Sequence, residues 1–81
     1  MLKVNTIIKL RNNDSYVILN TTKYQEQNYF LIMGLDDKGD VIPTKVLIIT
    51  ETNQNNKTFI NIVEDRDTII KVTELFKEQI S

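Results

Sequence analysis

The chain has 81 residues, with ten Lys and Arg against eleven Asp and Glu and with no cysteine or histidine. A chain this short has room for one hydrophobic core, so we predict a single domain over residues 1–81. Without cysteine, a disulfide, a thiolate metal site and a thiol nucleophile are excluded. The apolar runs are far shorter than a membrane span and no signal peptide is recognisable, which predicts a soluble, cytoplasmic protein.

The basic residues are scattered along the chain, and no two of them are adjacent. Affinity for nucleic acid depends on clustered phosphate contacts, so the charge pattern does not favour a nucleic-acid partner. Isoleucine occurs twelve times, asparagine nine times and alanine not at all. Since isoleucine and asparagine have A/T-rich codons, this composition indicates a host of low G+C content, or one of its phages or plasmids.

Alternating apolar residues, separated by clusters of Asn, Asp, Ser and Gly, predict five strands at about residues 6–10, 16–24, 29–35, 44–52 and 58–64. The connections at residues 11–15, 25–28 and 53–57 have the polar composition of turns and hairpin loops. In the third strand both alternating sets are apolar, which indicates the middle of a curled or covered sheet. Gly34 near its end predicts a bulge or bend where another backbone approaches.

The segment "MGLDDKGDVIP", residues 33–43, contains both glycines and the proline of the chain, together with Asp36, Asp37 and Asp40. It lacks the ligand spacing of a calcium-binding EF-hand loop and the glycine-rich run of a phosphate-binding loop. We therefore interpret it as a solvated turn, with Gly39 free to adopt positive φ, and we predict neither a metal nor a cofactor. Pro43 should lie at the beginning or edge of the fourth strand, outside a hydrogen-bonded ladder.

The last segment changes from a period of two to helical spacing. Its apolar residues recur three and four positions apart, which predicts an amphipathic helix at about 67–80: Ile69, Val72, Leu75, Phe76 and Ile80. Asp65 or Asp67 is the predicted N-cap. The expected fold class is α+β. It is a five-stranded antiparallel twisted meander, able to curl into a small, partly open SH3-like barrel, with one C-terminal helix packed on it.

Catalytic residues are scarce. The chain has no histidine or cysteine, its two serines lie in a turn and at the end, and its carboxylates cluster where turns and helix starts explain them. We therefore expect no catalytic residues and no enzymatic activity. The aromatic residues Phe30, Phe59 and Phe76 are predicted core residues, whereas Tyr24 and Tyr29 flank a loop and should be partly exposed.

An open sheet has two edges at which another chain can add a strand. The segment "KVLIIT", residues 45–50, is apolar on both faces. Two alternatives stand: part of it is an exposed edge used for docking or dimerisation, or the helix and the curvature of the sheet cover it. Sequence alone does not assign the edge.

Three stretches together resemble small uncharacterised proteins of Gram-positive bacteria and their mobile elements, including the YrzB-like family: "IIKLRNNDSYVIL", "YFLIMGLDDKGD" and "NKTFINIVEDRDTIIKVTELF". The hairpins differ, because they carry Asn, Thr and Lys where that family carries Glu. The resemblance implies a meander followed by a helix and carries no activity or site residues with it.

The function expected from these observations is that of a small, non-enzymatic protein-interaction module whose partner is another protein or a second copy of the chain. Two alternatives remain. One is a nucleic-acid-binding small β-barrel, and the other is a phage or plasmid accessory protein that blocks a host factor.

Overall fold

The computed structural model of the protein describes residues 3–10 and 13–80. Its elements are β1 (Ile7–Lys9), β2 (Ser15–Tyr24), β3 (Gln27–Leu35), β4 (Val41–Gln54), β5 (Lys57–Ile62) and α1 (Arg66–Ile80). The strands form one antiparallel sheet in the order β1-β2-β3-β4-β5. The sheet curls into a half-barrel and α1 packs on one of its faces, which confirms the predicted fold class.

Two clusters of apolar side chains lie on opposite faces of the central strands. The inner cluster consists of Tyr16, Ile18, Phe30, Ile32 and Ile49. The helix cluster consists of Ile48, Val72 and Phe76, with partly buried neighbours that include Leu31. α1 covers only the face that carries the helix cluster. The inner cluster lies on the other face, where the curl of the sheet itself buries it. The prediction that β3 is apolar and covered on both faces is confirmed, since Phe30 and Ile32 are fully buried while Leu31 packs under the helix.

Two hairpins close with two-residue turns in which both residues have positive φ. The φ values are 49° and 64° at Gln25 and Glu26, and 50° and 66° at Asn55 and Asn56. This is the type I′ geometry that matches the twist of paired strands. The strands therefore continue up to the turns, and the loops predicted at 25–28 and 53–57 were too long. The turn predicted at 11–15 includes Arg11 and Asn12, which lie outside the described residues, and Ser15 already belongs to β2.

The two turns differ in how well their residues tolerate positive φ. Asparagine adopts this conformation readily, whereas Gln25 and Glu26 carry the usual steric cost of about 1–2 kcal/mol per residue. We expect the double substitution Q25N/E26G to raise the free energy of unfolding by about 1–2 kcal/mol. Urea unfolding, monitored by circular dichroism, measures this change in the free energy of unfolding. The control is Asn56→Gly, for which a gain of equal size would contradict the explanation.

The junction of β3 and β4 contains a bulge at Gly34. The partner of Met33 is Val46 and that of Gly34 is Ile42, so residues 43–45 have no partner in the ladder. The bulge confirms the prediction for Gly34, but its near neighbour is a side chain and not a backbone, because an added Cβ would lie 2.5 Å from Cδ of Lys45. Pro43 lies outside the ladder as predicted. However, β4 begins at Val41 and not at residue 44, because the bulge allows Val41 and Ile42 to pair with β3 before the chain reaches Pro43.

α1 starts immediately after a capping aspartate. The carboxylate of Asp65 accepts hydrogen bonds from the hydroxyl of Thr68 at 2.6 Å and from its backbone N–H at 3.0 Å. Of the two predicted N-caps, Asp65 is therefore the cap, and Asp67 lies within the first turn. The predicted face of the helix is confirmed at Val72 and Phe76, which are buried against the sheet.

The cap makes stability depend on pH. The pKa of Asp65 lies below its ordinary value of 3.8, because the Thr68 hydroxyl and then its N–H stabilise the ionised carboxylate. A lowered pKa in the folded state means that this stabilisation is present above pH 3.8 and is lost as the pH falls through the folded-state pKa. We expect Asp65→Ala to lower the urea midpoint at neutral pH and the difference from wild type to shrink below about pH 3. A difference that does not change with pH would contradict this role, and Asp37→Ala in the exposed turn is the control.

Candidate interaction surface

The most exposed apolar strand of the sheet is β5, which lies at one edge. All six of its residues are exposed, including Phe59 (46%), Ile60 (38%) and Ile62 (48%). Its register with β4 places Ile62 across from Ile49 and Ile60 across from Glu51. Ile60 and Ile62 thus extend the face that holds the inner cluster, while Phe59 lies on the face that carries α1.

The backbone of β5 also presents unpaired groups. The ladder continues to Val63, whose N–H donates to the carbonyl of Ile48 at 2.8 Å. In an antiparallel ladder, alternate residues turn their N–H and C=O toward the partner strand. Counting back by twos from Val63, the residues directed toward β4 are Asn61, Phe59 and Lys57. The peptide groups of Thr58, Ile60 and Ile62 therefore point away from the sheet and can receive a further strand.

The exposure of Phe59 corrects the prediction that it is a core residue. Phe30 and Phe76 are buried as predicted, at 0% and 3% exposure, but Phe59 lies at the edge, where no further strand covers it. Alternation places Phe59 on a definite face, but it does not reveal whether that face is covered. No local signal in the sequence distinguishes Phe59 from Phe30.

An open cleft of about 480 Å³ runs between β5 and the end of β1 on the face of the inner cluster. Most of its lining is apolar: Leu10, Tyr16, Leu47, Ile60 and Ile62, with Asn61 and Glu64 at the side. The cleft marks where the half-barrel remains open. It shows that the apolar interior continues to the edge of the sheet at β5.

Other free edges carry features that discourage strand addition. β1 has three residues and includes the exposed Lys9. The part of β4 beyond the end of β5 contains Pro43 and Lys45 within the bulge. Short strands, proline, lysine and bulges are common protections of sheet edges. In contrast, the segment from Thr58 to Ile62 contains neither a charged residue nor a proline.

The two alternatives for "KVLIIT" are resolved by this arrangement. Ile48 lies under α1 and Ile49 lies in the inner cluster, so the centre of the segment is covered. Val46, 42% exposed, precedes the part of β4 that pairs with β5 and remains partly open. A smaller cleft of about 300 Å³ separates Val46 from the first turns of α1 at Ile69. The principal apolar edge is therefore β5, which the sequence did not single out.

The acidic turn has a structural explanation. One carboxylate oxygen of Asp36 accepts hydrogen bonds from the N–H groups of Lys38 and Asp40, both at 2.9 Å. Gly39 adopts a φ of 86°, as predicted, and its N–H donates to the carbonyl of Asp36. Within residues 3–10 and 13–80, no group of three or more acidic, histidine or cysteine side chains could hold a metal ion.

A small polar cluster lies over the bulge at Gly34. The ammonium of Lys45 contacts the carboxylate of Asp14 at 2.7 Å and lies 5.2 Å from the centre of the Tyr16 ring. Its hydrogen bond with Asp14 is the main cause that raises the pKa of Lys45 above its ordinary value. The ion pair is partly exposed and joins the segment before β2 to the bulge in β4.

Tyr24 and Tyr29 are half-buried, as predicted for residues that flank a hairpin. Their ring centres are 6.3 Å apart with an interplanar angle of 54°, and both rings pack against the helix cluster. This tilted contact explains them as packing residues near the edge of the core.

Among the described helices, none is both long and apolar enough to span a membrane. The candidate surface therefore consists of the unprotected edge strand β5, its three exposed apolar side chains and the adjoining cleft. Comparison with known proteins found no matching family model, no matching curated protein and no matching solved structure.

Proposed function

We propose that this chain is a small, non-enzymatic, cytoplasmic protein-interaction module encoded by a low-G+C bacterium or by its phage or plasmid. Its binding surface is the edge of β5. The observation that carries the proposal is that β5 combines unpaired peptide groups with three exposed apolar side chains, Phe59, Ile60 and Ile62. Main-chain hydrogen bonds supply affinity in strand addition, and the alternating side chains supply specificity.

The chemistry of the edge favours a protein over a nucleic acid. Lys57 is the one basic residue of β5, and the residues that follow it up to Ile62 are uncharged. A nucleic-acid surface would combine aromatic side chains with a basic groove along the backbone. Phe59 has no such basic surroundings on its strand, whereas an apolar edge suits an extended polypeptide.

The test compares which proteins of a host extract bind to the immobilised wild-type protein and to the variant Ile60→Lys. Lysine on an edge strand opposes strand addition, and at this position it lies across from Glu51, which is a favourable pairing within the monomer. The control is Ile7→Lys, which makes the same change at the exposed edge of β1. We expect a protein from the host extract to bind to wild type and to the Ile7 variant but not to the Ile60 variant, and to do so again when purified.

Equal binding to all three proteins would overturn the assignment of the edge. Gel shifts at low salt provide the second arm, with single-stranded and double-stranded DNA and RNA as probes. Binding that weakens steeply as salt rises would favour the nucleic-acid alternative and contradict the proposal.

A further inference from the structure

We propose that the strand that pairs with β5 is β5 of a second copy of this chain, giving a two-fold symmetric dimer with Asn61 on the axis. The inference rests on the proposed function, because it takes the same edge as the binding surface and names its occupant.

The directions of the backbone groups permit this pairing. A two-fold axis perpendicular to the sheet pairs two identical strands in antiparallel fashion, with one residue facing its own copy. With Asn61 on the axis, Ile60 of each copy lies opposite Ile62 of the other. These are the residues whose N–H and C=O groups point away from β4. Each Ile60–Ile62 pair can therefore exchange both of its hydrogen bonds, while the Asn61 pair is of the non-hydrogen-bonded kind.

The side chains are complementary in the same register. On the face of the inner cluster, each Ile60 contacts an Ile62 and continues the apolar surface of the cleft across the two copies. On the face of α1, Phe59 lies opposite Val63 of the second copy, the last residue of the ladder with β4. Cross-strand pairs of apolar residues stabilise a sheet.

The alternative axis through Ile60 is less favourable. It would place Lys57 opposite Val63 and Phe59 opposite Asn61, so that a charge and an amide would face apolar side chains. The register centred on Asn61 pairs Ile60 with Ile62 and Phe59 with Val63, so that apolar side chains face apolar side chains. It also leaves no like charges directly opposed, which would destabilise the sheet.

Sedimentation equilibrium tests whether the dimer forms. We expect wild type and Ile7→Lys to approach twice the monomer mass of 9.5 kDa as concentration rises. We expect Ile60→Lys to require at least about a tenfold higher concentration for the same degree of association. A wild-type protein that stays monomeric up to about 1 mM overturns the dimer, as does an Ile60 variant that associates like wild type.

Cysteine cross-linking tests the register, and the native chain contains no cysteine that would interfere. Residues in a non-hydrogen-bonded pair have Cα atoms about 4.5 Å apart, which suits a disulfide, so Asn61→Cys should form covalent dimers rapidly under mild oxidation. In the control Thr58→Cys, the two cysteines lie about 20 Å apart along the paired strands and should not cross-link. If Thr58→Cys or Ile60→Cys cross-links as fast as Asn61→Cys, this register is wrong.

The two proposals fail in different ways. If wild type is monomeric but its capture of a different protein is lost in Ile60→Lys, the interaction module stands and the second copy is the wrong occupant. If wild type neither dimerises nor shows capture that depends on Ile60, both proposals are overturned. Two copies carrying different affinity tags should co-purify after co-expression in the wild type and not in the Ile60 variant.

Discussion

Replacing Phe30 with alanine is expected to lower the free energy of unfolding by about 3–5 kcal/mol. The side chain is completely buried in the inner cluster, where it pairs across β3 and β4 with Ile49. No helix lies on this face to collapse into the space, so the cavity would persist. A domain of this size has a total stability of about 4–12 kcal/mol, so this single change removes a large share of it.

Urea unfolding monitored by circular dichroism measures the Phe30 effect, and Phe59 provides the matched control. Phe59→Ala removes the same atoms from a side chain that is 46% exposed on β5. Its loss should destabilise the monomer by about 1 kcal/mol or less. To separate folding from self-association, both variants are compared in the Ile60→Lys background. Equal effects of the two substitutions would contradict the assigned positions of β3 and β5.

Replacing Phe76 with alanine should lower the free energy of unfolding by about 3 kcal/mol, with the largest effect in α1. The ring is 3% exposed and, together with Val72, attaches the helix to the sheet beside Ile48. A helix of 15 residues is marginal in water when it is not packed, so α1 should lose its structure more readily than the central strands. Ile70→Ala, at a 47% exposed position of the same helix, is the control and should have little effect.

Hydrogen exchange of the backbone amides shows where the Phe76 effect falls. In the variant, the amides of α1 should exchange faster than those of β3, because local opening of the helix no longer breaks a large apolar contact. If α1 retains protection equal to that of β3, the helix is held by contacts other than those of Phe76, and the prediction is wrong.

The sequence by itself determined the types and the order of the elements. The period of two in the strands, the change to helical spacing after Asp65, and the turn residues around Gly39 are local signals, and each corresponds to a local backbone conformation. The apolar run in β3 also predicted its central place, because a strand with two apolar faces is stable only when both faces are covered.

Local patterns failed at the boundaries and at the bulge. Gln27 and Asn53 are polar, yet they belong to strands, because type I′ turns at the adjacent residues carry the pairing to the end of each hairpin. The neighbour of Gly34 is Lys45, eleven positions away in the chain. That contact depends on which residues β4 leaves unpaired, and this is a property of register and not of composition.

The tertiary structure alone decided which strand is the exposed edge. Phe59 and Ile60 have the composition of a covered strand, and by pattern they match the buried residues of β3. Burial depends on what lies across and above a residue, and for β5 that is set by strand order and by the path of α1. The curl of the sheet ends at β5, so its backbone groups and apolar side chains face solvent, and the surface proposed for binding arises from that topology.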